Sequence, residues 1–95
     1  MTVLHIEHPV SDYETWKRAF DADPVGRERS GVRRYRILRD KDDPNDVTID
    51  LEFDTAEEAE ALLASMQVAW GRVQGTFISA LPRTRITEPV ETTEY

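Results

Sequence analysis

Two short runs, VRRYRILR (Val32 to Arg39) and VTIDLEFD (Val47 to Asp54), decide the fold of this 95-residue chain. In the second run Val47, Ile49, Leu51 and Phe53 alternate with Thr48, Asp50, Glu52 and Asp54. That period of two belongs to a strand covered on one face only. The intervening Asp40-Lys41-Asp42-Asp43-Pro44-Asn45-Asp46 is rich in turn residues, so the runs fold back on each other as a hairpin. Centring it on Asp43 sets Tyr35 against Leu51 and Ile37 against Ile49 on one face, with Arg36 against Asp50 and Arg34 against Glu52 on the other. Apolar pairs on one side and opposite charges on the other satisfy both faces at once. A sheet face that is charged yet paired suits a wet interior or a subunit contact, not a dry core.

Outward from the hairpin, Val3 to His8 reads as a first strand ended by Pro9, with Leu4 and Ile6 on one face and Val3, His5 and Glu7 on the other. Ser11 and Glu14 form a capping box, and Tyr13, Trp16 and Phe20 recur at helical spacing, so a helix starting at Asp12 buries that stripe. Pro24 and Gly26 break it, and Val25 to Ser30 adds at most a helical turn before Gly31 opens the hairpin. Beyond the hairpin, Thr55 and Glu58 repeat the capping signature. Ala59, Leu62, Leu63, Met66 and Trp70 give one apolar stripe on a helix from Ala56 to about Arg72, with Gly71 and Gly75 weakening its end. A last strand is expected from Arg83 to about Glu91, in a tail that reaches toward a neighbouring subunit. The order strand, helix, strand, strand, helix, strand is the split βαβ pattern of ferredoxin-like α+β folds, a four-stranded antiparallel sheet with both helices on one face. Residues 1–95 form a single domain.

Composition narrows the function. Nineteen acidic against twelve basic residues give a net charge of −7, which opposes nucleic-acid or anionic-lipid binding unless the bases cluster. Arg27, Arg29, Arg33, Arg34, Arg36 and Arg39 are close in sequence, but strand parity splits the last four between two faces. With no cysteine, thiolate metal sites, disulfides and cysteine nucleophiles are excluded. No apolar stretch is long enough for a secretory leader or a bilayer crossing, so the expected compartment is the cytoplasm, without a membrane partner. The sheet face left bare by the helices carries Val3, His5, Glu7, Arg34, Arg36, Thr48, Asp50 and Glu52. Two copies packed face to face about a two-fold axis cover it, so the chain itself is the expected partner in a homodimer; a solvated face on a monomer is the alternative.

At this point the residues resemble a known group. His8-Pro9-Val10-Ser11-Asp12-Tyr13-Glu14-Thr15-Trp16-Lys17-Arg18-Ala19-Phe20-Asp21, the Gly31-Val32 start of the hairpin, the Asp42-Asp43-Pro44-Asn45 turn and the Leu51-Glu52-Phe53-Asp54 strand end are similar to the dimeric α+β barrel superfamily. Within it they resemble the antibiotic biosynthesis monooxygenase (ABM)-like group, including members called only "cyclase". The likeness spans about residues 3 to 70. It implies the ferredoxin-like fold, the homodimer, and a pocket between helices and sheet lined by Ile6, His8, Trp16, Phe20, Tyr35, Ile37, Leu51, Phe53, Met66 and Trp70. Haem-degrading relatives use an asparagine on the first strand and a histidine after the second helix; this chain has neither, although Trp70 matches their tryptophan.

Among candidate site residues, His8 is the best general acid or base, since only histidine titrates near neutrality without strong perturbation. Its structural alternative is to fix the strand-to-helix turn by bonding a backbone carbonyl. His5 points to the opposite face and is expected in an ion pair across the dimer, so the two histidines cannot readily share a metal. Trp16 and Trp70 suit stacking on a flat aromatic substrate or simple core packing, and Tyr35 offers a hydroxyl to orient a ligand. The acidic run Asp40 to Asp46 lacks the glycine and terminal glutamate of an EF-hand and reads as a solvated hairpin tip.

Two functions follow. In the first, the chain acts without a cofactor on a small aromatic or polyketide-like metabolite, as a monooxygenase or as a cyclase or isomerase. His8 and Tyr35 are then catalytic, with Trp16, Phe20, Phe53, Met66 and Trp70 holding substrate. In the second, it is a non-catalytic homodimer that binds a small ligand or serves as a stress-linked accessory protein. A helix-facing cavity of about 300 Å³ or more lined by His8 favours the first; filling of that space by Trp16 and Phe20 favours the second.

Overall fold

The computed structural model describes residues 1–23, 26–73 and 82–95, the side chains of residues 72 and 73 excepted. Its elements run β1 (Thr2–Pro9), α1 (Tyr13–Asp21), β2 (Arg34–Arg39), β3 (Asp46–Phe53), α2 (Ala56–Val73) and β4 (Arg83–Thr87). The sheet is antiparallel throughout, in the order β2-β3-β1-β4. This is the ferredoxin-like α+β arrangement expected from the chain. The hairpin register is the one read from the alternation: Arg34, Tyr35, Arg36 and Ile37 lie opposite Glu52, Leu51, Asp50 and Ile49. β1 takes the centre, with Leu4 between Leu51 and Ile86 and His5 between Asp50 and Arg85.

The core lies on the side of the sheet that carries the helices. Leu4 and Ile6 of β1 and Val47, Ile49, Leu51 and Phe53 of β3 are buried there with Trp16 of α1 and Ala59 and Leu62 of α2. Tyr13, Phe20, Leu63, Met66 and Trp70 pack at its margin, so both helical stripes face inward. The opposite parity, including Val3, His5, Glu7, Thr48, Asp50 and Glu52, is half-exposed.

β1 and β3 each differ by one residue at both ends from the sequence reading, and α1, β2, β4 and α2 also differ at one end. The N-cap of α1 is Asp12, not Ser11: Asp12 is extended (φ −154°, ψ 121°) and its carboxylate accepts from the Thr15 amide at 2.9 Å and the Thr15 hydroxyl at 2.7 Å. Those bonds, the hydroxyl's first, hold Asp12 below the usual carboxylate range. β2 starts at Arg34 because the Val32 amide donates to the Arg27 carbonyl at 3.1 Å, back into the loop. β4 stops at Thr87 rather than Glu91, ahead of Pro89, which has no amide for the ladder. α2 runs through Gly71 to Val73; the expected weakening at Gly75 lies outside the described residues. The acidic run closes the hairpin: the Asp40 amide donates to the Asp46 carbonyl, and the Asp40 and Asp43 carboxylates accept amides of their own turn.

Candidate functional site

His8 is the last inward-facing residue of β1, opposite Val47, and is 2% exposed. Its Nδ1 lies 3.3 Å from the Pro9 carbonyl. A carbonyl only accepts, so Nδ1 carries the hydrogen and the Nε2 lone pair is left available; Nε2 has no hydrogen-bond partner among the described residues. Burial pushes the His8 pKa below its ordinary 6.5, outweighing the Pro9 carbonyl bond and the nearby Asp46 carboxylate, which both pull it up. At neutral pH the ring is therefore an uncharged base.

A row of aromatic rings leads from this histidine to the surface. Trp16 presents its ring to His8 edge-on (centroids 5.7 Å apart, 61° between planes) and stacks on Phe20 at 5.2 Å. Phe20 in turn meets Tyr35 edge-on at 5.2 Å, and Tyr35 is 44% exposed. Helical spacing on α1 sets Trp16 and Phe20 one turn apart, and inward parity on β2 brings Tyr35 beneath them. Two guanidiniums close the row: Arg27 Cζ sits 3.8 Å from the Phe20 ring centre and 5.2 Å from that of Tyr35, while Arg39 Cζ lies 4.6 Å from the centre of Tyr13.

Four expected site residues, His8, Trp16, Phe20 and Tyr35, are thus joined in one contact chain. Phe53 is 1% exposed within the core, and Met66 and Trp70 lie half-buried at its α2 margin; no ring contact among the described residues links Trp70 to the row. Arg27 was missed because the loop returning it onto Phe20 has no sequence signature. Arg39 was legible in principle, since it shares inward parity with Tyr35 and Ile37. Beneath α1, Trp16 packs against His8 and Phe20 stacks on the Trp16 ring. Clefts of about 390, 490 and 200 Å³ open elsewhere, and His8 lines none of these three.

The outward face carries a separate polar network. Arg34 holds Glu52 through two bonds of 2.9 Å, Arg83 holds Glu7 at 2.9 Å, and Asp50 accepts from Arg36 at 3.2 Å. His5 Nδ1 is 2.7 Å from Asp50 and its Nε2 is 2.8 Å from the Thr87 hydroxyl. His5 thus has an acidic neighbour within its own chain, because the β1–β3 register sets Asp50 opposite it.

Comparison with known proteins places this fold. No protein-family model matches the chain, and no curated protein does so either. Solved structures do. A Nitrosomonas europaea protein provisionally assigned as an antibiotic biosynthesis monooxygenase is 18% identical with a TM-score of 0.72, over 98% of this chain and 93% of that one. SnoaB, a cofactor-independent oxygenase from Streptomyces nogalater solved as a mutant, is 13% identical with a TM-score of 0.75, over 96% and 94%. A Deinococcus radiodurans protein with the same provisional assignment is 14% identical with a TM-score of 0.69, over 100% and 98%. The chain therefore has the ferredoxin-like α+β fold of the ABM proteins, as its resemblance implied.

Proposed function

We propose that this chain is an ABM-like homodimer, joined through the outward sheet face, that acts as a cofactor-independent monooxygenase or as a cyclase or isomerase on a small aromatic or polyketide-like metabolite. The observation that carries this reading is His8, a buried and uncharged imidazole with its Nδ1–H held by Pro9 and its Nε2 without a hydrogen-bond partner among the described residues, at the inner end of an aromatic row. Such a group removes a proton from an acidic phenol or enol without first losing one of its own. The resulting electron-rich anion is the species that either reacts with dioxygen or closes a ring. Tyr35 orients the ligand through its hydroxyl, and Trp16, Phe20, Phe53, Met66 and Trp70 supply apolar surface around it. The fold shared with a cofactor-independent oxygenase supports the oxygenation branch.

The test is dioxygen uptake and product formation with polycyclic phenols, comparing the wild type with His8→Ala. A loss of about 100-fold or more is expected on general-base grounds; equal rates remove His8 from the chemistry.

A second reading has its own observation: Trp16 packs edge-on against His8 with Phe20 stacked on it, the packing expected of a non-catalytic ligand-binding or accessory homodimer. Ligand-induced quenching of tryptophan fluorescence with no dioxygen uptake or product across the same panel selects it.

A further inference from the structure

The charges on the outward face do not balance. Its acids are all engaged: Glu7 by Arg83, Asp50 by His5 and Arg36, and Glu52 by Arg34. Arg85 shares the face with His5, its cross-strand neighbour, and no carboxylate among the described residues lies within ion-pair distance of it. Together with His5, Glu7 and Arg83 it lines a cleft of about 200 Å³. On a bare face an unpaired arginine is solvated at no cost. Once a second sheet covers that face, the guanidinium loses water and needs a carboxylate.

The chain also has a segment with the opposite surplus. Glu88-Pro89-Val90-Glu91-Thr92-Thr93-Glu94-Tyr95 carries three glutamates and no base. All of it is exposed, including its two large apolar side chains, Val90 and Tyr95. Other carboxylates without a partner among the described residues are poorly placed to reach Arg85. Glu14, Glu57 and Glu60 belong to the helices on the far side of the sheet. Glu28 precedes β2 at the opposite edge, and Asp46 opens β3 beside the hairpin turn. The tail leaves from β4, the strand that carries Arg85.

We propose that residues 88–95 form an acidic arm that docks on the outward face of a second copy of this chain and supplies the carboxylate for that copy's Arg85. Two-fold symmetry makes the exchange reciprocal, so each dimer has two such contacts. This rests on the sheet-face homodimer proposed above.

Sedimentation equilibrium on residues 1–95 tests it by a double-mutant cycle between Arg85→Gln and the triple change Glu88→Gln, Glu91→Gln, Glu94→Gln. Each arm of the cycle is expected to weaken dimerisation about tenfold. Combined, they should weaken it about tenfold rather than a hundredfold, because both remove the same contact, and the steep salt dependence of the wild type should flatten in all three variants. The substitutions lie on exposed positions, and circular dichroism checks that the fold is kept. Additive effects, or unchanged dimerisation in the triple variant, overturn the arm while leaving the sheet-face dimer standing. A wild-type chain that stays monomeric at every concentration overturns the dimer itself and the arm with it.

Discussion

Replacing His8 by glutamine should remove a defined piece of the pH dependence of folding. In the unfolded chain the imidazole titrates near its ordinary 6.5, whereas burial lowers its pKa in the folded state. Below pH 6.5 the unfolded chain therefore binds a proton that the folded chain refuses. The stabilisation is fully present above 6.5, is lost as pH falls, and stops changing below the folded value. One proton sets the ceiling at about 1.4 kcal/mol per pH unit, so lowering the pH from about 7.5 to about 5.5 should remove up to ~1.4 kcal/mol in the wild type. Every other ionisable group is common to the two proteins, so its contribution cancels when the two slopes are compared. The assay is urea unfolding at one fixed protein concentration across that range, reading the slope of stability against pH rather than its absolute value. Equal slopes in wild type and His8→Gln would refute the claim that burial controls this imidazole, and with it the uncharged base on which the proposed chemistry depends.

Three further outcomes follow from packing and backbone geometry. Phe53→Ala empties a site that is 1% exposed and should cost about 3–5 kcal/mol by urea unfolding. Thr55→Ala removes the hydroxyl that accepts the Glu58 amide at 3.3 Å and bonds the Glu58 carboxylate at 3.2 Å, lowering stability by about 1 kcal/mol. Gly31 has φ +103°, and a Cβ there meets the Glu58 side chain. Gly31→Ala should therefore destabilise by roughly 1–2 kcal/mol, and an unchanged denaturation midpoint would count against that backbone geometry.

The amount legible in the residues varied with the range of the forces involved. The β2–β3 pairing followed from alternation and one turn, because a one-residue slip puts Tyr35 and Ile37 on the charged side and Arg36 on the apolar side. The stripes of α1 and α2 were visible for the same reason, since a single period decides which side chains face inward. Asp12 and Ser11 both make good caps, and the choice fell to the residue whose backbone was already extended as the chain left β1. The end of β4 depended on what lies beside it, and the tail pairs with no strand among the described residues.

Sequence alone determined the order of elements, the register of the central hairpin, the two faces of the sheet and the inward direction of His8. These depend on neighbours close along the chain and on burial of one periodic set of apolar side chains. Tertiary structure decided that β1 sits between β3 and β4, that Arg27 folds back over Phe20 and Tyr35, that His5 finds Asp50 within its own chain, and that His8 is shielded enough to stay uncharged. Those outcomes depend on contacts between residues distant in the chain and on the exclusion of water around one ring, which no local pattern encodes.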